Sequence, residues 1–220
     1  MTRSVRAVLW DLDGTLVDSA ELHWLSWRDT LASQGHTITY QQFLDTFGQK
    51  NDRILPGWLG AEISLDRIRE VGDAKEAAYR QLVEDRGLTP LPGAAEWLRT
   101  LHAGGWKQAI ASSAPRANVG VMLRVLGVET ELDAIVSAED VTAGKPDPQV
   151  FLRAAAAVGV SPERCVVVED AMVGIEAARR AGIKTIGVSR VPDFEADLVV
   201  ASLEDLPADA FARLIGDSDS

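Results

Sequence analysis

Two aspartates stand two residues apart where an apolar segment of the chain ends. The segment VRAVLW (5 to 10) is followed at once by Asp11, and Asp13 and Gly14 come directly after. Taken alone, such a pair is a weak signal, because solvated strand ends and turns often carry aspartate. Its chemistry becomes informative together with the polar residues that follow other apolar segments.

Three more apolar segments end in polar side chains of complementary chemistry. Ser112 and Ser113 follow one segment, Glu169 and Asp170 follow another, and Lys145 lies in a loop after a third. In open α/β sheets, ligands bind outside the carboxyl ends of the strands. If these segments are parallel strands of one sheet, all of these side chains lie at the same edge.

Crowded carboxylates at this edge predict a bound cation and a phosphorylated ligand. Carboxylates that lie close together repel one another at neutral pH, and hard oxygen ligands suit Mg²⁺, which also binds phosphate oxygens. Hydroxyl groups and the Lys145 ammonium suit the phosphate itself. Asp11 is then placed to attack phosphorus, and Asp13 can protonate the leaving oxygen and later deprotonate the acceptor. Gly14 permits the sharp exit from the strand.

The elements that must position these residues are short strands alternating with helices. The strand candidates are VRAVLW (5 to 10), KQAIAS (107 to 112), DAIVSA (133 to 138), CVVVE (165 to 169), KTIGVS (184 to 189) and DLVVAS (197 to 202). Most are apolar on both faces, as strands covered by helices on both sides are. The alternation predicts an α/β fold of Rossmann-like type, with a doubly wound parallel sheet.

One region breaks the alternation. Residues 19–88 contain helical patterns and no convincing strand, and the stretch is too long for an ordinary crossover between strands. We expect an inserted all-helical cap domain at 19–88 and a core domain formed by 1–18 and 89–220. The segment LTPLPG, with its prolines and glycine, is the expected return linker.

Composition excludes several classes of partner. The chain has 220 residues, a formal net charge of −11 and a pI near 4.7, so binding to nucleic acid or to an anionic membrane surface is not expected. No apolar run approaches the roughly 18 residues of a membrane-spanning helix. The single cysteine, Cys165, allows no disulfide within one chain, which fits a reducing cytoplasm. We expect a cytoplasmic protein that acts as a monomer on a small phosphorylated metabolite.

Four sequence motifs resemble those of the haloacid dehalogenase superfamily of phosphotransferases. They are DLDGTLVDS at 11 to 19, SSA at 112 to 114, GKPDP at 144 to 148 and VVVEDAMVGIEAARRAG at 166 to 182. Their order and spacing match, and the resemblance runs from the first strand to about residue 190. The helical insert is similar to the cap of the subgroup that contains β-phosphoglucomutase and small sugar phosphatases.

The resemblance implies a role for each motif residue. Asp11 would be the nucleophile, Asp13 the acid and base, Ser112 the phosphate-binding hydroxyl and Lys145 the phosphate-facing cation. Mg²⁺ would be held by Asp11, the main-chain carbonyl of Asp13 and Asp170. Glu169 would assist in or next to this ligand set.

The same resemblance implies further substrate-binding positions. In the insert, His23 and Lys75 stand where the subgroup has a cap histidine and a cap lysine, although surface positions are the alternative for both. The segment FGQKNDRIL (47 to 55) resembles the loop that selects substrate. The predicted substrate-binding residues are Gly14, Thr15, His23, Gly48, Asn51, Lys75, Ser113 and Arg116.

Departures from the mutase pattern favour hydrolysis. Asn51 falls about where a mutase has a phosphate-gripping arginine, although Lys50 or Arg53 could substitute for it, and DGTLVDS is the form common among the phosphatases. We therefore expect a Mg²⁺-dependent phosphatase acting through an aspartyl phosphate, with a phosphosugar mutase as the alternative. A noncatalytic protein that binds phosphorylated metabolites is a third hypothesis, disfavoured because Asp11 and Asp13 are both present.

Overall fold

Six parallel strands form one sheet in the part of the chain that the computed structural model describes, residues 5–47 and 49–217. The strands run in the order β3-β2-β1-β4-β5-β6, which places the first strand at the centre. Each strand lies within its predicted segment. They are β1 (Ala7–Trp10), β2 (Lys107–Ala111), β3 (Ala134–Val136), β4 (Cys165–Glu169), β5 (Lys184–Val188) and β6 (Leu198–Val200).

Helices cover both faces of the sheet, as predicted for a doubly wound fold. Val8 and Trp10 of β1 point into one apolar cluster, and Ala7 and Leu9 point into the other. The first cluster is completed by α5 (Ala94–Ala103), α6 (Arg116–Leu126) and α9 (Ala210–Leu214), and the second by α7 (Gln149–Ala157) and α8 (Met172–Arg180). The alternation of side chains along a strand explains why both faces must be apolar.

Four helices lie in the described residues of 19–88, between β1 and α5. They are α1 (Ala20–Ala32), α2 (Tyr40–Leu44), α3 (Asn51–Leu59) and α4 (Leu65–Arg86). The described residues of 19–88 contain no strand, and we call this stretch the helical insert. It has an apolar cluster of its own, which includes Trp27, Phe43 and Leu55. The division of the chain into two domains nevertheless stays a prediction.

The helical insert also differs in detail from the prediction. The segment 47 to 55 was expected to be a loop, yet α3 occupies most of it. The longest helix, α4, is capped by the Ser64 hydroxyl, which accepts the Arg67 N–H at 3.2 Å.

Within the described residues, none of the helices combines the length and the apolar character needed to cross a membrane.

Two chain segments join the helical insert to the sheet, and they lie side by side. The Asp18 N–H donates to the Thr89 carbonyl at 3.3 Å, and the Leu91 N–H donates to the Leu16 carbonyl at 2.9 Å. Val17 and Pro90 form an antiparallel bridge between these bonds. The second segment is the predicted return linker, LTPLPG, and the adjacency of the two gives the insert a narrow attachment.

Candidate active site

The predicted edge of the sheet borders a cavity of about 370 Å³ between the sheet and the helical insert. Asp11, Ser112, Ser113 and the Glu169–Asp170 pair line it from the sheet, and Lys145 lines it from the loop after β3. The structure therefore brings together residues that are spread over most of the sequence. Parallel strand direction is the cause, because it sends all of these strand ends to one edge.

The turn after β1 sets the position of both aspartates. The Asp11 N–H continues the pairing with β4 by donating to the Val168 carbonyl at 3.0 Å. Gly14 has a φ of +85°, and a Cβ there would collide with the carboxylate of Asp170. A side chain at this position would be excluded both by the backbone conformation and by the approach of Asp170.

Thr15 and Gly14 lie beside Asp170 and are not themselves among the residues that line the cavity. The buried Thr15 hydroxyl donates to Oδ1 of Asp170 at 3.2 Å. Their position differs from the predicted one, since both were expected to bind substrate directly. In the structure Thr15 holds the Asp170 carboxylate, which faces the cavity, and Gly14 leaves room for it.

Lys145 links the nucleophile candidate to the second acidic motif. Its Nζ lies 2.6 Å from Oδ1 of Asp11 and 2.6 Å from Oε1 of Glu169. The other Glu169 oxygen accepts the Ala171 N–H at 2.8 Å. Burial alone would lower the pKa of Lys145, but the charges of Asp11 and Glu169 outweigh it and raise that pKa above its ordinary value. Lys145 is therefore a permanent cation at the cavity floor.

Three carboxylates converge beside this lysine. Asp11, Glu169 and Asp170 each offer an oxygen, and these oxygens all lie within 4.8 Å of one another. Burial, and then repulsion from Glu169, raises the pKa of Asp170 to about 7. Burial likewise raises the pKa of Asp11, with contributions from both acidic neighbours, although Lys145 opposes the shift. Such a set of hard oxygen donors fits a divalent cation such as Mg²⁺.

The end of β2 contributes a buried hydroxyl. The Ser112 N–H donates to the Val136 carbonyl at 3.0 Å, and the Ser112 Oγ accepts the Ala114 N–H at 3.0 Å. This local bond fixes the loop that carries Ser113 into the cavity wall. Both serines therefore lie where the sequence predicted them.

Asp13 faces the helical insert instead of the acidic cluster. Its Oδ1 accepts the Ser19 hydroxyl at 2.5 Å and lies 3.2 Å from Nε2 of His23. Burial alone would raise the pKa of Asp13, but the hydrogen bonds from His23 and Ser19 outweigh it, so its pKa is below the ordinary value. Two neighbouring aspartates thus have opposite pKa shifts, because burial and two acidic neighbours dominate at Asp11, whereas hydrogen bonds from His23 and Ser19 dominate at Asp13.

His23 is bonded on both ring nitrogens. Lys75 Nζ lies 2.9 Å from Nδ1, and because an ammonium can only donate, Nδ1 accepts and the ring proton belongs on Nε2, facing Asp13. The Tyr79 ring stacks on the imidazole at 3.9 Å between centroids. Burial and the charge of Lys75 lower the pKa of His23. The predicted residues His23 and Lys75 are thus buried together at the cavity wall.

Glu76 was not among the predicted site residues, yet it binds three side chains at this wall of the cavity. It accepts Lys75 Nζ at 3.0 Å, the Asn51 amide at 2.9 Å and the amide of Asn118 on α6 at 2.6 Å. Burial alone would raise the pKa of Glu76, but Lys75 and the Asn51 amide outweigh it and lower that pKa. A sequence signal for Asn118 exists in hindsight, since it is a polar residue on the apolar face of its helix.

The remaining predicted substrate positions have mixed outcomes. Asn51 lines the cavity, but its amide is held by Glu76. Arg116 is absent from the cavity wall, because its half-exposed guanidinium pairs with Asp140. Gly48 lies outside the described residues. The insert also contributes apolar side chains to the cavity wall, namely Trp27, Phe43, Phe47, Ile54, Trp58 and Ile68.

The comparison with known protein families agrees with this geometry. The sequence profile of the haloacid dehalogenase-like hydrolase family matches residues 8–188, which is most of the chain. The protein belongs to this family. The matched range contains both aspartates, Lys145 and the second acidic motif, so the site described above falls inside the family match.

Relatives within this haloacid dehalogenase-like family include both mutases and phosphatases. The chain is 34% identical over 221 residues to a β-phosphoglucomutase from Bacillus subtilis, covering 92% of each protein. It is 31% identical to a fructose-1-phosphate phosphatase from Escherichia coli, covering 82% of this chain and 95% of that protein. The structure of β-phosphoglucomutase from Clostridium difficile matches with a TM-score of 0.86 at 26% identity, covering 97% of this chain and 98% of that one.

Proposed function

We propose that this protein is a Mg²⁺-dependent phosphatase that hydrolyses a small phosphate monoester, a sugar phosphate, through a phosphoryl group carried by Asp11. The observation that carries the proposal is the contact of Lys145 with both Asp11 and Glu169 at the floor of the cavity. A buried cation held against a carboxylate nucleophile is the arrangement that phosphoryl transfer to that carboxylate requires.

The donor set supports Mg²⁺ as the cofactor. Asp11 and Asp170, with the main-chain carbonyl of Asp13 and with Glu169 nearby, would hold the ion. When bound, it neutralises phosphate charge, so that the Asp11 carboxylate can approach phosphorus. The raised pKa of Asp170, caused mainly by burial and by Glu169, is consistent with a site built for a positive ion.

The residues of the chain then divide the reaction between them. A carboxylate oxygen of Asp11 forms a bond to phosphorus as the bond from phosphorus to the leaving oxygen breaks. Asp13 first takes up a proton from solvent and then gives that proton to the leaving oxygen. Asp13 next takes a proton from water, whose oxygen attacks phosphorus and frees Asp11 and inorganic phosphate. Ser112 and Lys145 hold the phosphoryl oxygens, and His23 orients the Asp13 carboxylate.

A sugar phosphate is supported by the size and lining of the cavity. A volume of about 370 Å³ lies within the range of small-ligand pockets. Aromatic residues such as Phe47 and Trp58 offer flat apolar surface, while Asp52 and Asp73 offer acceptors for hydroxyl groups. The phosphatase relative from Escherichia coli is named for fructose 1-phosphate, which belongs to this substrate class.

A phosphosugar mutase is the second candidate, and the similarity to β-phosphoglucomutase from Bacillus subtilis favours it. Lys50 also lines the cavity, so a second phosphate would meet a cation there. Against this, the Asn51 amide donates to Glu76 and the Arg116 guanidinium pairs with Asp140, so neither side chain is directed at a second phosphate.

The deciding experiment incubates the protein and Mg²⁺ with a panel of phosphosugars and other small monoesters. The panel includes β-glucose 1-phosphate, assayed in parallel for glucose 6-phosphate with a trace of bisphosphate. The proposal predicts release of inorganic phosphate. Isomer formation without phosphate release would replace it with the mutase. The cytoplasmic location and the monomeric state also stay predictions, which fractionation and light scattering can test.

A further inference from the structure

A chain of hydrogen bonds leaves the sheet domain at Asn118, crosses the helical insert and returns to the sheet at Asp13. Asn118 donates to Glu76 at 2.6 Å, Glu76 accepts Lys75 at 3.0 Å, and Lys75 lies 2.9 Å from Nδ1 of His23. His23 Nε2 lies 3.2 Å from Asp13. The middle of this circuit belongs to the helical insert, whereas both of its ends cross between the insert and the sheet side of the cavity.

The amide of Asn118 can adopt only one orientation in this circuit. Its Nδ2 donates to the Glu76 carboxylate, while its Oδ1 accepts Arg80 at 2.9 Å. Rotating the amide by half a turn would set oxygen against carboxylate and nitrogen against guanidinium. Asn118 is fully buried, so two groups there that cannot hydrogen-bond to each other would lose their hydration without compensation. Both the chemistry and the polarity of this contact are therefore specified.

Glu76 is equally constrained. It is 7% exposed, and its two oxygens together accept bonds from Lys75, Asn51 and Asn118. Lys75 belongs to α4, as Glu76 does, Asn51 begins α3 at the cavity wall, and Asn118 belongs to α6. The loop before α6 carries Ser112 and Ser113. Moving the insert away from the sheet would break the bond to Asn118 but keep the other two.

We propose that Glu76 and Asn118 form a latch that closes the helical insert over the cavity and, through Lys75 and His23, positions Asp13 for proton transfer. Both are positioning residues, because each acts through another side chain. The inference rests on the proposed function for its kinetic consequences, but the latch itself is a contact between α4 and α6 that can be tested without substrate.

The test reverses the polarity of the latch. Asn118→Asp sets two carboxylates against each other, since an aspartate can accept Arg80 but cannot donate to Glu76. In the double variant Glu76→Gln with Asn118→Asp, the glutamine amide donates to the new carboxylate and the bond is restored in reverse. The matched control is Glu84→Gln, which removes an exposed ion pair between the same two helices, Glu84 to Arg124 at 4.0 Å.

Turnover of p-nitrophenyl phosphate in Mg²⁺ is the first readout. We expect Asn118→Asp to lower kcat about 10- to 100-fold with little change in KM, because a misplaced proton donor slows chemistry more than binding. The double variant should regain about tenfold over Asn118→Asp, and Glu84→Gln should match the wild type. An unchanged kcat in Asn118→Asp, or no recovery in the double variant, would overturn the latch.

Hydrogen exchange of the substrate-free protein is the second readout, and it does not depend on activity. Asn118→Asp should speed amide exchange in α4, in the loop at 112 to 115 and at the start of α6, and the double variant should slow it again. Identical exchange in wild type and Asn118→Asp would overturn the latch even if kcat fell. If the wild type released no phosphate from any substrate, the proposed function would fail. The hydrogen-exchange comparison would still test whether Glu76 and Asn118 form the latch.

Discussion

Lys145 and Asp11 lie 134 residues apart in the sequence, yet only 2.6 Å separates Nζ of the lysine from Oδ1 of the aspartate. The Lys145 ammonium lies beside the carboxylate that is proposed to attack phosphorus. Its second bond, to Glu169, fixes the position of the ammonium independently of Asp11. The Lys145 ammonium can therefore donate to the phosphoryl oxygens when substrate binds.

Asp13→Asn should leave the fold intact and slow turnover by about 100- to 10,000-fold, the range that a general acid and base contributes. The new amide oxygen can still accept bonds from Ser19 and His23, so the loss would come from the missing proton and not from packing. The check is kcat measured beside thermal unfolding in Mg²⁺. Full activity of the Asp13→Asn variant would show that the proton travels by another route.

Stabilisation by Mg²⁺ should increase with pH. Burial and Glu169 raise the pKa of Asp170 to about 7 in the folded protein, whereas an aspartate titrates near 4 in an unfolded chain. Between these values the folded state binds more protons than the unfolded state, so this group makes the metal-free protein less stable as the pH rises toward 7. Mg²⁺ competes with that proton, and its affinity should weaken by about tenfold per pH unit below pH 7.

Thermal unfolding with and without Mg²⁺, at about pH 6 and about pH 8, measures this effect. The shift in Tm caused by the ion should be larger at the higher pH. Asp170→Asn should remove most of the shift and should make the metal-free protein more stable at the higher pH. An equal Mg²⁺ effect at both pH values in the wild type would contradict the assignment of Asp170 to the metal site.

Much of this site could be predicted because it depends on local sequence and strand direction. The strand ends that carry Asp11, Ser112 and Glu169 were placed correctly, since a parallel sheet leaves them no other edge.

The insert side of the site was harder to predict. Glu76 and Asn118 belong to helices far apart in sequence, and their pairing depends on how α4 docks on α6. Residues 47 to 55 were expected to be a loop because they resemble the substrate-selecting loop of the subgroup. Instead α3 begins at Asn51, although it contains Pro56 and Gly57, which disfavour a helix. Tertiary packing of Ile54 and Leu55 into the apolar cluster of the insert overrides that local preference.

Gly174→Ala should damage the site from a distance. A Cβ at this position of α8 would collide with the carboxylate of Glu169, which holds Lys145. Overpacking of this kind costs about 1–3 kcal/mol of stability, and displacement of Glu169 should also lower kcat.

Gly120→Ala is the matched control for that substitution. Gly120 lies within α6, and a Cβ there would have no atom within 4 Å. It should raise stability by about 0.5–1 kcal/mol and leave kcat unchanged. Denaturant unfolding and steady-state kinetics of the two variants provide the comparison, and equal behaviour of both would refute the proposed packing of Gly174 on Glu169.

Phosphate release by wild type and Asp11→Asn, assayed side by side in Mg²⁺ on the same panel of phosphosugars, tests the central claim most directly. The account predicts release by the wild type and a loss of more than about a thousandfold in the variant, because removal of a catalytic nucleophile leaves only binding and electrostatic assistance. A folded Asp11→Asn protein that releases phosphate at a rate near that of the wild type would show that Asp11 does not carry the phosphoryl group.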